Sequence, residues 1–484
     1  MRAVPASLLV ALIAIATAGR VAATHHVFSP TWDEPAHIFA GYEYLAEDRY
    51  TFDLSHPPLA RIAFAFPLRN AVSDAPEVND RVGDVLTSRG DYMSGVVAAR
   101  RGNLLFLAVA LIAVAIWSAG LYGPRVALIA TASFALLPPI LAHAGLATTD
   151  MAVTAAIAAG GAALHRWLGA TTWANTAALA IAFGAGLLTK FSYPAFFAIV
   201  ALTTMTAARR WPVGKGFAAV VGGFSLVWIC YFFNQLRRFF RGFAVVMHHN
   251  AEGHDAYFRG EVQATGWWEY FPVVLGVKTP IPFLALAAIG TYFVVRERRN
   301  RALLGMAALM LALVMTSRIN LGVRHILPIY VPLSIVAAVG LDRLWRTRFR
   351  WLGPALALWL LVDSIGAHPD YLPWMNAFAG EHPERLVLDS NFDWGQDVVR
   401  LRDTCRTLGI PSLAVGLFGS TDLVRIGMPP TRAVPREPGP PGWYAVSESF
   451  IIPEQVRDPS AYRWLTEGRA FGRVGRTIRL YQVR

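Results

Sequence analysis

The sequence predicts an α-helical integral membrane protein of about eleven transmembrane helices, followed by a small α/β domain. Of the 484 residues, 55% are hydrophobic and only 16% are charged, whereas soluble domains carry about 25% charged residues. Apolar runs of membrane-spanning length recur up to residue 366, and basic residues cluster in alternate loops between them. From Glu384 onward the composition changes to that of a soluble domain.

A transmembrane helix needs roughly 17 to 25 mostly apolar residues. The first candidate resembles a secretory signal, but it lacks a well-formed cleavage site and many spans follow, so an uncleaved helix is the better interpretation. The 173–208 region is too long for one helix, and its turn is expected at Thr189-Lys190. The candidate spans are 5–23, 103–121, 126–143, 151–167, 173–189, 191–208, 216–233, 272–295, 302–317, 326–341 and 351–366.

The distribution of arginine predicts the orientation of these spans. If the N-terminus lies in the cytoplasm, the inner loops hold most of the basic residues, and the short outer loops hold only Lys190, Arg318 and Arg324. This is the positive-inside pattern. The prediction is a membrane module over 1–366 with long outer loops at 24–102 and 234–271, an external C-terminus, and a location in the bacterial inner membrane.

The net charge of +12 does not indicate a nucleic-acid partner, because the basic residues form short clusters rather than one basic face. The two cysteines, Cys230 and Cys405, predict no disulfide framework. The extracytoplasmic domain over 384–484 is expected to contain a helix and four strands. The helix is predicted at 396–408 and the strands at 386–389, 413–418, 443–446 and 477–483, with a Pro/Gly-rich loop at 429–442.

Asp33 and Glu34, in the first outer loop, are the first candidate catalytic residues. One interpretation is structural, because Thr31 and Asp33 both suit a helix N-cap and an acidic first turn suits the helix dipole. That interpretation does not explain a second carboxylate or His37 on the same segment. Ionisable residues at a membrane surface are functional candidates. His37 is expected to contact an acceptor, together with Trp267 and Trp268 of the second long outer loop.

Further candidates lie at the same membrane face. His56, in Ser55-His56-Pro57-Pro58-Leu59, either offers a cationic donor to a phosphate or belongs to a rigid turn before an amphipathic helix at 59–68. Asp150 either caps a helix or joins the catalytic carboxylates. A set of cations at outer helix ends either reaches towards headgroups or binds a lipid-linked phosphate as it leaves. These cations are Lys190, Lys278, Arg324 and His325.

Neither of two possible metal sites has convincing ligand spacing. His248, His249 and His254 lack the close spacing of a metal site. The stretch Asp389-Ser-Asn-Phe-Asp-Trp-Gly-Gln-Asp397 superficially resembles a calcium loop, but Trp394 stands where the sharp-turn glycine belongs and Arg400 where the bidentate glutamate belongs. We therefore expect no metal or other cofactor, and we interpret this stretch as a helix-capping loop that faces the substrate.

Five short motifs follow one another in a characteristic order. Together they resemble the GT-C superfamily, specifically the relatives of dolichyl-phosphate-mannose–protein mannosyltransferases and of bacterial lipid A aminoarabinose transferases, over roughly 5–366. One departure is His56, where the aminoarabinose transferases carry a lysine. The stretch from Asp389 to Asp397 resembles a recurrent tail of uncharacterised bacterial members. The five motifs are Asp33-Glu34, His56-Pro57-Pro58-Leu59, Thr149-Asp150, the run 186–190 and Arg324-His325-Ile-Leu-Pro328.

The resemblance implies inverting transfer of a sugar from a polyprenyl-phosphate-linked donor to a hydroxyl acceptor at the extracytoplasmic face of the bilayer. Asp33 would act as general base, and the cations would stabilise the phosphate as it leaves. The acceptor would be a glycan, a lipid or a protein. The alternative is a transporter or flippase of polyprenyl-linked glycans, which would place ionisable residues near the bilayer midplane. A non-catalytic envelope scaffold is a third option.

Overall fold

The computed structural model describes residues 5–233, 235–298 and 300–484. The part that precedes the second long outer loop is helical. Its helices are α1 (Ala6–Ala22), α2 (Glu34–Glu47), α3 (Pro58–Ala65), α4 (Val78–Thr87), α5 (Tyr92–Arg101), α6 (Asn103–Tyr122), α7 (Pro124–Ala135), α8 (Pro138–Ala144), α9 (Thr149–Gly169), α10 (Trp173–Leu187), α11 (Tyr193–Ala208) and α12 (Val213–Cys230).

The second half of the helical module contains a short antiparallel hairpin and a 3₁₀ segment, Val323–Ile329. The elements are α13 (Leu236–Glu252), β1 (Ala256–Phe258), β2 (Glu261–Gln263), α14 (Tyr270–Lys278), α15 (Ile281–Val294), α16 (Ala302–Val314), α17 (Tyr330–Leu344) and α18 (Leu352–Gly366).

Each predicted span falls on a helix or on a bent pair of helices. Within the described residues, three helical stretches are long and apolar enough to cross a membrane, Tyr92–Tyr122, Val213–Cys230 and Val323–Leu344. Counting α7 with α8, bent by 67°, and α14 with α15, bent by 111°, raises this number to five. Other apolar helices are shorter, including α1 and α10. The protein therefore has several apolar helices, and the number eleven and the orientation remain predictions.

Small residues allow the helices to cross closely. A Cβ atom at Gly290 of α15 would lie 1.9 Å from the carbonyl oxygen of Val336 in α17, and one at Gly340 would lie 2.3 Å from that of Leu286. Close backbone approach of this kind is a common way to pack helices in membranes, where burial of apolar surface contributes little.

The C-terminal domain contains a five-stranded sheet in the order β4-β3-β5-β7-β6. Strand β3 is parallel to β4 and β5, and β7 is antiparallel to β5 and β6. The elements are α19 (Val398–Leu408), β3 (Leu413–Gly416), β4 (Thr431–Ala433), β5 (Gly442–Ser447), α20 (Glu448–Arg457), α21 (Arg463–Thr466), β6 (Gly472–Val474) and β7 (Ile478–Val483).

Three of the four predicted strands are present as β3, β5 and β7, and the predicted helix is α19. The strand predicted at 386–389 is wrong: Val387 forms only an isolated bridge to Phe258, and the chain then turns into the 3₁₀ segment Asp389–Asn391. Asp389 has a φ of +54°, which ends any extended strand. Strand β4 lies in the stretch predicted to be a Pro/Gly-rich loop.

Candidate active site

Asp33 forms an ion pair with a residue from the other end of the helical module. It precedes α2, but its side chain makes no hydrogen bond that caps the helix. Instead, its Oδ2 accepts a hydrogen bond from Arg324 Nη1 at 2.5 Å. The N-cap interpretation therefore fails for Asp33, whose side chain is 26% exposed.

Glu34 lies next to Asp33 in sequence but has a different environment. It is fully buried, and its two oxygens accept from Arg100 Nε at 2.8 Å and Nη2 at 2.7 Å. The backbone N–H groups of Thr31 and Ala147 also donate to it, each at 2.8 Å. The prediction that Glu34 is catalytic is not supported, because its oxygens are saturated by groups that hold the first outer loop in place.

Arg324 contacts both Asp33 and the C-terminal residue Trp394. The residues that follow α18 (367–484) form the C-terminal tail. The guanidinium carbon of Arg324 lies 4.4 Å from the centre of the Trp394 ring, which is a cation–π contact between the helical module and this tail. Arg324 Nε and His325 Nε2 are buried and have no hydrogen-bond partner among the described residues. Buried polar atoms normally have partners, so these two nitrogens are available to a ligand.

Asp150 and Lys190 form a second ion pair, with Lys190 Nζ 2.6 Å from Asp150 Oδ1. Asp150 is buried, whereas the Lys190 side chain is 14% exposed. The charges of both Lys190 and Arg324 act on Asp150. The structure therefore groups two predicted catalytic carboxylates with two predicted phosphate-binding cations.

Lys278 does not join this group. It is buried, and its Nζ donates to three backbone carbonyls, those of Leu372 at 2.5 Å and of Trp374 and Asn391 at 2.8 Å each. An ammonium has three donors, and here all of them are used to fasten the tail to α14. The prediction that Lys278 binds a phosphate is therefore not supported.

His37 and His56 lie beside each other, with ring centroids 4.9 Å apart. Arg61 Nε donates to His37 Nδ1 at 3.2 Å and also pairs with Asp53. Burial lowers the pKa of His37 to about 4, and the charge of Arg61 adds to this effect. Burial, with His37 and Arg61, also lowers the pKa of His56 well below its usual range. His56 is thus neutral at pH 7, which does not support its predicted role as a cationic phosphate donor.

One cluster has the composition of a metal site. His37, Asp53 and His56 each offer a ligand atom, and these atoms lie within 4.8 Å of one another. The guanidinium of Arg61 already bonds two of these side chains, His37 and Asp53. Burial raises the pKa of Asp53, but the charge of Arg61 outweighs this effect and the pKa falls to about 2. The residues therefore fit an arginine better than a metal ion.

The two tryptophans predicted to bind an acceptor differ in exposure. The Trp267 ring packs against Phe258 at 5.4 Å, and its backbone N–H donates to Asn320 Oδ1 at 2.6 Å. The side chain of Trp268 is 68% exposed. Trp267 therefore packs within the outer loop, and Trp268 alone of the two remains open to a ligand.

The tail segment 389–397 contributes residues that sequence reasoning did not assign to the site. Its Trp394 and Gln396 carbonyls accept from the N–H groups of Trp32 at 3.1 Å and Ser29 at 3.0 Å, just before Asp33. Asn391 Oδ1 accepts from the N–H of Val323, next to Arg324, at 2.9 Å. The segment therefore joins the two loops that carry the Asp33–Arg324 pair. The sequence predicted a loop that faces the substrate here, but it gave no role to the individual residues.

His143 was also missed. It is fully buried, neither ring nitrogen has a partner among the described residues, and its ring centroid lies 6.2 Å from that of Trp394. It lies in an apolar helix, where a single histidine carries no sequence signal of its own.

No family model matches the sequence, and no curated protein matches it. Among solved structures, the chain is similar to ArnT, a lipid A aminoarabinose transferase, from Cupriavidus metallidurans bound to undecaprenyl phosphate, with 15% identity, a TM-score of 0.57 and 97% of both chains covered. The apo form of ArnT gives the same identity and TM-score over 98% of this chain and 97% of that one.

A weaker similarity links the chain to the archaeal oligosaccharyltransferase AglB from Archaeoglobus fulgidus, in complex with an inhibitory peptide and a dolichol-phosphate. The identity is 11%, the TM-score is 0.46, and the alignment covers 90% of this chain and 61% of that one. The ArnT alignment extends over the C-terminal tail as well as the helices. The chain therefore shares the fold of ArnT, and the resemblance predicted from the order of its motifs is confirmed at the level of the fold.

Proposed function

We propose that this protein is a membrane glycosyltransferase that moves a sugar, with inversion, from a polyprenyl-phosphate-linked donor to a hydroxyl acceptor at the extracytoplasmic face. The observation that carries the proposal is the pairing of Asp33 with Arg324 and of Asp150 with Lys190, since α9, which carries Asp150, packs against the 3₁₀ segment that carries Arg324. In such a reaction a carboxylate can take the proton of the acceptor hydroxyl, and nearby cations with free N–H donors can stabilise the phosphate as it leaves. The undecaprenyl phosphate bound in the ArnT structure is consistent with such a donor.

The chemistry follows from the two pairs. The phosphate of the donor would bind Arg324 and Lys190, and it would compete with Asp33 for Arg324. Asp33, once released, would take the proton of the acceptor hydroxyl while its oxygen attacks the anomeric carbon from the face opposite the phosphate. The bond between the anomeric carbon and the phosphate oxygen breaks, and polyprenyl phosphate leaves as an anion held by the cations. This scheme needs no metal ion.

The test of the donor site is binding of undecaprenyl phosphate to the purified protein in nanodiscs. Arg324→Met should weaken binding at least tenfold, because it removes a charged donor from a buried site. Arg463→Met is the matched control, since within the described part of the chain Arg463 pairs only with the exposed Glu467 on the tail surface. Equal affinity of Arg324→Met and wild type would contradict the proposal.

The test of transfer uses radiolabelled undecaprenyl-phosphate sugars and membranes from a strain that lacks the protein. Addition of wild-type protein should move label from the lipid to an envelope glycan, lipid or protein. A flippase would instead move the intact lipid-linked sugar across a vesicle membrane without breaking its phosphate bond. A reporter fused after Arg484 should be active only outside the cytoplasm, and a cytoplasmic reporter would contradict the proposed location of the site.

A further inference from the structure

Asp389 begins the tail segment 389–397 and has no part in the mechanism above. Its φ of +54° lies in the left-handed region, which residues with a side chain rarely adopt, although Asp and Asn do so most readily. Its own N–H donates to Ser449 Oγ at 3.2 Å, and its Oδ1 accepts from the N–H of Ser390 at 2.6 Å. The contacts on both sides therefore hold the residue in this conformation.

The residues that follow Asp389 bring it to the turn that carries Arg324. Ser390 Oγ donates to the carbonyl of Leu321, and Asn391 Oδ1 accepts from the N–H of Val323 at 2.9 Å. Gly322 lies between these two contacts, and a Cβ atom there would be 2.3 Å from Ser390 Oγ. The charges of Arg324 and Asp33 both act on the Asp389 carboxyl, so the tail brings a third carboxylate to this arginine.

The three carboxylates around Arg324 differ in what holds them. Asp33 is paired with Arg324 itself, and Asp150 with Lys190. Asp389 has no ion pair among the described residues, and the hydrogen bonds to its carboxyl come from Ser390. A carboxylate that is not held in an ion pair is a strong acceptor for a hydroxyl, because hydrogen bonds to a charged group are about twice as strong as neutral ones.

We propose that Asp389 is an acceptor-binding residue: its carboxylate accepts a hydrogen bond from the attacking hydroxyl and turns that hydroxyl towards Asp33, which removes the proton. This inference rests on the proposed function and extends the site to the C-terminal domain. Lys190 belongs to the helical module and Asp389 to the tail. Since the charge of Arg324 acts on both Asp389 and Asp150, the partner of Lys190, a donor phosphate held by Lys190 and an acceptor held by Asp389 would meet at Arg324.

The charge state of Asp389 should make acceptor binding depend on pH. Burial raises the pKa of Asp389 to about 6, the charge of Arg324 opposes this, and Asp33 adds to it. Among the described residues, Tyr270 of α14 is a further titratable group that interacts with the charge of Asp389. Above about pH 6 the carboxylate is ionised and accepts from the hydroxyl, and below this pH it is protonated. Acceptor binding should therefore weaken as the pH falls through about 6.

The test compares wild type with Asp389→Asn, which keeps the size of the side chain and tolerates the left-handed backbone. Initial rates of transfer are measured between pH 5 and 8 with a radiolabelled undecaprenyl-phosphate sugar. The acceptor is supplied as increasing amounts of membranes from the strain that lacks this protein. At pH 7.5 we expect the apparent KM for the acceptor membranes to rise at least tenfold, with a smaller change in kcat. The decline of kcat/KM near pH 6 should disappear in the variant.

Two further variants separate this role from a structural one. Asp389→Gly keeps the left-handed backbone without a carboxylate and should raise KM at least as much as Asp389→Asn. Asp403→Asn, on the exposed side of α19 where its partners are surface arginines, should match wild type. Undecaprenyl phosphate alone should bind all three variants as it binds wild type.

Wild-type KM and an unchanged decline near pH 6 in Asp389→Asn would overturn the inference. So would a loss of activity that follows a lowered Tm, with KM and the pH profile unchanged, because Asp389 would then be structural. Failure of wild type itself to bind undecaprenyl phosphate would instead overturn the proposed function, and the two failures are therefore distinguishable.

Discussion

Arg324 and Asp33, which are 291 positions apart in the chain, form an ion pair with Nη1 2.5 Å from Oδ2. The base and the phosphate-binding cation of the proposed reaction thus neutralise each other when no donor is bound. The guanidinium also lies over the Trp394 ring at 4.4 Å, which limits its movement. A donor phosphate that takes the place of Asp33 on Arg324 would activate the base in the same step.

Asp33→Asn should separate binding from catalysis. Transfer should fall by about 10² to 10⁴, the usual contribution of a general base. Undecaprenyl phosphate should bind at least as tightly as to wild type, because the phosphate no longer competes with a carboxylate for Arg324. Both quantities are measured on the same nanodisc preparation. The general-base assignment fails if transfer persists at the wild-type rate, and the competition argument fails if binding weakens.

Glu34→Gln should destabilise the protein rather than alter the chemistry selectively. The change leaves Arg100, which is fully buried, without its carboxylate partner. Removing one partner of a buried ion pair costs about 3 to 5 kcal/mol, so the thermal midpoint in detergent should fall clearly. Glu467→Gln, which removes an exposed partner of Arg463, is the control. A Glu34→Gln protein that is as stable as wild type but inactive would indicate that Glu34 is catalytic.

Lys278→Met should loosen the tail and leave the affinity of the correctly folded protein for the donor lipid within about twofold of wild type. Hydrogen bonds to charged groups contribute about 1.5 to 3 kcal/mol each, and Lys278 makes three of them to carbonyls around the tail. Limited proteolysis of the tail should therefore become faster. The control is Lys215→Met, which removes a bond to the Thr171 carbonyl, beyond the end of α9 that is opposite to Asp150. A large loss of undecaprenyl phosphate affinity without faster proteolysis would restore the phosphate role of Lys278.

Asp393 should make the stability of the protein depend on pH. Burial raises the pKa of Asp393 to about 7, against about 3.9 in an unfolded chain. The folded state binds this proton more tightly, so its contribution to stability is full below about pH 4 and is lost as the pH rises to about 7. The loss is of order 2 to 4 kcal/mol. Asp393→Asn cannot ionise, so its stability relative to wild type should improve between pH 5 and 8, and a constant difference would contradict the assignment.

Chelation should leave transfer unchanged, because Arg61 already supplies the positive charge between His37 and Asp53. The measurement is the rate after treatment with EDTA and again after addition of Mg²⁺, Mn²⁺ or Zn²⁺. A loss restored by one metal in wild type, but not in His56→Ala, would place a metal ion in this cluster instead.

The sequence by itself determined the class of the protein and much of its local structure. The apolar runs predicted where the helices lie, because a membrane span leaves a long compositional signal. The change in composition at Glu384 marked a separate domain, and the strands predicted within it at 413–418, 443–446 and 477–483 are β3, β5 and β7. The order of the short motifs that contain Asp33, Asp150, Lys190 and Arg324 predicted the fold that the chain shares with ArnT, and it placed these four residues at one membrane face together with Glu34 and Lys278.

The tertiary structure decided what each charge does. Glu34 and Lys278 looked as functional in the sequence as Asp33 and Arg324, yet Glu34 is saturated by Arg100 and Lys278 by three carbonyls of the tail region. Asp389 was expected to end a strand and instead faces Arg324 from a left-handed turn. The partners of these residues lie some 60 to 300 positions away, as in the Arg100–Glu34 and Arg324–Asp33 bonds, which are separated by 66 and 291 positions. The local sequence pattern indicates hydrophobicity and backbone preference. The role of a buried charge depends instead on the atoms that neutralise it, and only the folded chain brings those atoms together.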